Sequence, residues 1–165
     1  MTNLISLEEA KDKAIKYLHK GYHCGPAVLQ VMWESCGMEN EDFLWAAIPF
    51  MGGISGHQNA PCGAVSGAAV FLGLRNRCPL ADKEKAKQAR NTARLQAGML
   101  VKDFQEKFGD ITCRGLIGID FNKPGEYQAF LASGKSKETC ESYVLWVIEK
   151  LYSFEKAGFL EVVAP

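Results

Sequence analysis

Pro61-Cys62-Gly63-Ala64-Val65-Ser66-Gly67-Ala68 sets a cysteine in the first turn of a predicted helix. Asn59 is the expected cap, and Pro61 suits a first turn because no N–H partner is needed there. The unpaired N–H groups of a helix start favour negative charge. A thiol held among them loses its proton more readily, and the thiolate is the form that attacks disulfides and binds metals. Gly63 and Gly67 lie four residues apart on one helix face, so another backbone can pass close above Cys62. The turn Gly52-Gly53-Ile54-Ser55-Gly56 leads into the segment. It follows a helix and lacks the Gly-Lys-Ser/Thr ending of a phosphate loop, so its glycines point to closeness to whatever Cys62 binds.

Around this stretch the spacing is helical. Ser6 and Glu9 form a capping box, and Leu7, Ala10, Ala14, Tyr17 and Leu18 repeat at helical intervals up to Gly21. His19 falls in the last turn, as a cation near the helix C-terminus. Tyr22-His23-Cys24-Gly25-Pro26 opens a second helix, with Pro26 at the first position and Cys24 at or just before the N-terminus. Leu29, Met32, Trp33 and Cys36 share its inner face. A short amphipathic helix follows over 41–50 and ends or kinks at Pro49. Asp82 caps the longest helix, which runs to about Gly109. Thr112 caps a short piece and puts Cys113 in a first turn, where the neighbouring Arg114 favours a thiolate. A short helix is expected over 126–131. The last one starts after Ser136, with Cys140 on its core face one turn in. The apolar tail over 158–165 reads as a small strand or a surface-packed segment. The predicted class is all-α: a compact multi-helix bundle, one domain over 1–165, with cysteines at helix N-termini meeting at one site.

A chain of 165 residues can bury a real core. Lys+Arg and Asp+Glu number 19 each, so no net charge draws nucleic acid or an anionic membrane surface. Lys83, Lys85, Lys87, Arg90 and Arg94 are diluted by Glu84, Asp103 and Glu106 and carry no interleaved aromatics, which fits a solvated face. No apolar run spans a bilayer, so membrane insertion is not expected. The first residues lack the basic and apolar regions of a signal peptide, giving a cytoplasmic expectation. Structural disulfides are rare there. Six cysteines then call for metal or redox chemistry, with inert buried thiols as the plain alternative.

Cys24, Cys62, Cys113 and Cys140 each fall within about a turn of a predicted helix start, whereas Cys36 and Cys78 do not. Cys36 sits at a helix C-terminus and reads as core filler; Cys78, before Pro79, reads as incidental. No Cys-x-x-Cys spacing occurs, so a zinc knuckle, a thioredoxin pair and haem attachment are unsupported. A bundle can still gather single ligands from four helices. Four thiolates suit an iron–sulfur cluster or zinc; two poised thiols without metal suit thiol–disulfide exchange, with Cys62 as nucleophile and Cys24 among the residues that would resolve it. His23 is a candidate proton carrier or ligand, set against a polar surface role, and His57 is a minor candidate for a supporting donor.

These landmarks resemble a family of redox-active proteins named for scattered cysteines and a Cys-Gly-Ala-x-x-Gly motif, C_GCAxxG_C_C. The motif stands as Cys62-Gly63-Ala64-Val65-Ser66-Gly67. The first family cysteine matches Cys24 in Gly21-Tyr22-His23-Cys24-Gly25-Pro26-Ala27-Val28. The third matches Cys113 in Phe108-Gly109 and Cys113-Arg114-Gly115-Leu116-Ile117-Gly118, and the last matches Cys140. The chain departs from the family at Gly25-Pro26, where a polar pair is more usual, and adds Cys36 and Cys78. The arrangement is also similar to the non-haem part of split-Soret cytochromes, which implies an iron–sulfur cluster. The resemblance thus implies a small redox protein with Cys24, Cys62, Cys113 and Cys140 as ligands of a 2Fe–2S cluster. Arg114 and the N–H groups around Gly63 would tune its potential. A metal-free thiol oxidoreductase and a zinc module stay as alternatives. The implied partner is a redox protein or a small redox molecule. The small-residue face of the Cys62 helix adds a homodimer as an expectation.

Overall fold

The computed structural model describes residues 5–156, and among them the secondary structure is helical with no strand. In order, the helices are α1 (Leu7–His19), α2 (Cys24–Ser35), α3 (Glu41–Ala47), α4 (Gly63–Arg75), α5 (Lys83–Phe108), α6 (Cys113–Ile117), α7 (Glu126–Ala132) and α8 (Ser142–Lys156). A 3-10 turn over Ile48–Phe50 follows α3, and a π-helical turn over Lys137–Glu141 leads into α8. The predicted apolar tail lies outside the described residues.

Caps explain most of the boundaries. Ser6 accepts from the Glu9 N–H at 3.1 Å. Asp82 accepts from the Lys85 N–H at 3.1 Å, and Thr112 accepts from that of Gly115 at 3.0 Å. Each satisfies an orphan donor of a first turn. Pro49 stands where α3 gives way to the 3-10 turn. Pro26 sits third in α2, not first, but still in the turn whose N–H groups need no helical partner.

The decisive stretch differs from its reading in where the helix begins: Pro61 and Cys62 precede its first turn. Asn59 does not cap α4; Cys62 itself is the N-cap, with non-helical backbone at φ −51° and ψ 133°. Pro61 forms an isolated antiparallel bridge with Thr112 instead. The Cys62 N–H donates to Ile111 O at 2.7 Å and the Cys113 N–H to Ala60 O at 3.1 Å. In this pattern the bridged residues make no bonds to each other, so a proline, lacking an N–H, loses nothing there.

α2 and α4 pack against each other at the centre of the bundle. A Cβ on Gly67 would run into the backbone of Gly25, and one on Gly63 would strike Phe50 O and Cys24 Sγ. The close backbone read from Gly63 and Gly67 is therefore the start of α2. That contact occupies the small-residue face, so the expectation of a homodimer through it lapses. α1, α5 and α8 flank the pair, and Leu29, Met32, Phe71, Leu72, Leu100, Phe104, Ile148 and Leu151 fill the core. Phe104 and Phe108 of α5 meet Tyr143 and Trp146 of α8 by edge-to-face ring contacts. Burying one such aromatic contributes roughly 1.5–3 kcal/mol. Lys83, Lys85, Lys87, Arg90 and Arg94 are all exposed along α5. Among the described residues no helix is long and apolar enough to cross a membrane.

Candidate functional site

Three chain segments meet at the start of α4. Cys24, the first residue of α2, lies against Gly63. Cys62 is tied by its backbone to Ile111, and Cys113, the first residue of α6, to Ala60. The fourth cysteine, Cys140, lies in the π-helical turn. That turn is clasped to α1 by His19 Nε2 and Glu141 Oε1, 3.0 Å apart. One turn further on, the Tyr143 hydroxyl donates to Leu116 O at 3.2 Å, which joins α8 to α6. All four cysteines line one cavity of about 700 Å³.

The four thiols are not alike. Cys24 is drawn down to about 7 from an ordinary 9.0, first because its sulfur accepts the Cys62 thiol hydrogen, then against burial by the N–H groups of Gly25, Gly52 and Ala64. Those donors come from both helix starts and from the Gly-rich turn, which is the use the structure makes of that turn. Cys62 moves the other way, well above 9.0, because its thiol keeps its proton to donate a hydrogen bond to Cys24 and is only 6% exposed. The acidity read from the helix start of Cys62 thus belongs to Cys24. Cys113 is pushed up to about 11 by burial and then by the charge of Cys24, with a bond from Gln58 pulling down. Burial, then the charge of Cys24, pushes Cys140 up to about 12. One thiolate in a poorly solvated space makes a second costly, whatever the helix ends supply. Arg114 does not offset this, because its guanidinium pairs with Asp120 at 2.8 Å.

Other candidates separate cleanly. His23 caps α2 with extended backbone, lines the cavity, and is held below its ordinary value by burial. His57 is exposed and does not line it. Its neighbour Gln58, only 3% exposed, is the supporting residue that the sequence did not announce. Gln58 Nε2 donates to Ile119 O at 2.9 Å, and its Oε1 accepts from Phe121 N–H at 2.7 Å. Its only signal is a glutamine four residues before a cysteine, which nothing in spacing marks out. Cys36 caps the far end of α2, where Arg75 Nη1 lies 3.5 Å from its sulfur; neither it nor Cys78 lines the cavity.

None of the six cysteines, all among the described residues, forms a disulfide. Among the described residues no three of His, Cys, Asp or Glu gather closely enough to hold a single metal ion. The sulfurs border a space, and the Cys24 and Cys62 thiols lie close enough to shift each other's acidity.

Comparison with curated proteins and with solved structures gives no match. A family model described as "Putative redox-active protein (C_GCAxxG_C_C)" matches residues 22–154, a span that contains every cysteine lining the cavity. The chain belongs to this C_GCAxxG_C_C family of redox-active proteins.

Proposed function

We propose that the protein is a small electron carrier whose Cys24, Cys62, Cys113 and Cys140 hold an iron–sulfur cluster of the 2Fe–2S type. The observation that carries the reading is the shared cavity: four cysteines from separate parts of the chain border one space, and two others do not. The family's redox character is consistent with it. A cluster bound there supplies one-electron chemistry. The chain's own part is to provide sulfur and stabilise negative charge. Cys24 is poised as a thiolate at neutral pH, while Cys62, Cys113 and Cys140 release protons on binding, so loading is favoured by rising pH. The N–H groups of Gly25, Gly52 and Ala64 face the Cys24 sulfur and would raise the potential of whatever it binds.

A second reading rests on the thiol-to-thiolate contact of Cys24 and Cys62. It supports a metal-free dithiol centre in which Cys24 attacks and Cys62 resolves, the reverse of the order expected from the sequence. Single cysteine-to-serine variants separate the two. The cluster reading expects visible absorbance to fall sharply for each of Cys24→Ser, Cys62→Ser, Cys113→Ser and Cys140→Ser, and to stay for Cys36→Ser and Cys78→Ser. Full colour in Cys113→Ser and Cys140→Ser would rule it out.

A further inference from the structure

The cavity is larger than four sulfurs and a small cluster require. Its volume, about 700 Å³, matches the range for small organic ligands, about 300–1,000 Å³. Beside the cysteines, α7 and the loop before it supply Phe121, Tyr127 and Phe130 to the lining, and Leu116, Ile117 and Tyr143 complete it. Phe121 has its ring centroid 5.1 Å from that of Tyr127 and 5.2 Å from that of Phe130, so the rings brace one another. Gln58 fixes the loop through Ile119 and Phe121. The result is a ready aromatic surface that a flat ring can meet at little ordering cost.

Charge narrows the class of ligand. Lys123 and Lys137 are exposed residues of the lining, and His19 and Glu141 satisfy each other. Cys24 already accepts three N–H groups and one thiol hydrogen. Away from these two exposed lysines the walls offer an ion of either sign no uncompensated partner, and burying one there is costly. Tyr127 adds a half-buried phenol hydroxyl, a donor suited to a carbonyl oxygen.

We propose that the chamber is a binding site for a flat, uncharged ring molecule of the quinone class, its ring against the Phe121, Tyr127 and Phe130 wall and a carbonyl oxygen accepting from the Tyr127 hydroxyl. The pocket stands on its walls; the choice of a quinone among flat carbonyl compounds rests on the reading of the cysteines as a redox centre.

Duroquinone is the probe, because its ring carbons are fully methylated and thiols cannot add to them. Titration into protein purified without oxygen, followed by protein fluorescence and NMR, should show saturable binding of one molecule per chain. Tyr127→Phe should weaken it by about threefold to tenfold, the effect of one hydrogen bond. Tyr127→Ala should weaken it further, with the helical circular dichroism kept. Iron, sulfide and reversible thiol oxidation are measured on the same samples. Absence of saturable binding by the folded protein overturns the pocket, whatever its metal content. Equal binding of durene, the same ring without carbonyls, or an unchanged constant in Tyr127→Phe, overturns the quinone assignment. Binding by protein found to have neither a cluster nor reversible thiols would strike the redox reading, and with it the choice of a quinone.

Discussion

At the scale of single residues, the acid thiol of this protein is the one that is surrounded. Cys24 and Cys62 both stand at helix starts, yet they share one proton, and it stays on Cys62. Cys24 collects donors from two helices and a turn, whereas Cys62 has Cys24 to serve and little solvent. In the metal-free, reduced protein one thiol should therefore alkylate quickly, with a rate midpoint near pH 7. Cys62→Ala removes the thiol donor and should move that midpoint up. A wild-type protein with no thiol titrating below about 8 would contradict the assignment, since an unperturbed cysteine ionises near 8.5. Stability follows with opposite signs. Cys24 ionises below its unfolded value, so its contribution is present above 9.0 and lost as pH falls through about 7. Cys113 and Cys140 ionise above theirs, so their contribution is present below 9.0 and lost as pH rises toward about 11 and 12. Denaturant melts of the metal-free chain should show stability falling above pH 9.0 as these two lose theirs. A midpoint that keeps rising there would mean that burial of Cys113 and Cys140 is not what shifts them.

At the scale of elements, the helix starts were the legible part. Ser6, Asp82 and Thr112 each carry a side-chain oxygen that answers a local question, where the first N–H groups go, and so each boundary can be read from a few residues. The reading of the α4 start falls three residues early, at Asn59 rather than Cys62, because the acceptor that fixes it is not local. The Cys62 N–H is satisfied by Ile111, some fifty residues on in sequence, and only the folded chain pairs them. The π-helical turn at Cys140 was likewise invisible, since Lys137–Glu141 has an ordinary helical composition. Gly63 and Gly67 did announce a close approach but not its partner, Gly25. Two substitutions on α4 test that packing. Gly67→Ala forces a methyl into the α2 backbone and should destabilise the protein by about 1–3 kcal/mol or more. Gly73→Ala, on the same helix with open space around it, should be neutral or stabilise by about 0.5–1 kcal/mol. Thermal melts decide it; equal midpoints for the two variants would show that α2 and α4 are not in backbone contact.

At the scale of the whole molecule, the site is a product of topology. Four cysteines far apart in sequence reach one cavity because α2 crosses α4 at glycines, the Pro61 bridge brings in α6, and the His19 to Glu141 clasp with the Tyr143 bond brings in the start of α8. The sequence could name these cysteines, since each stands near a helix start and in a family landmark. It could not rank their acidity, which depends on burial and on one another. Nor could it foresee the aromatic lining beside them, because Phe121, Tyr127 and Phe130 are ordinary residues until the fold brings their rings edge-on and tilted against one another. Arg114 shows the same limit: adjacent to Cys113 in sequence, it is turned to Asp120 in space. The most direct measurement is iron and acid-labile sulfide per chain, with the visible spectrum, on protein purified without oxygen. A two-iron centre held by Cys24, Cys62, Cys113 and Cys140 predicts about two irons and two sulfides per chain with charge-transfer bands. Colourless, iron-free protein under those conditions would contradict it and leave the Cys24 and Cys62 pair as the redox centre.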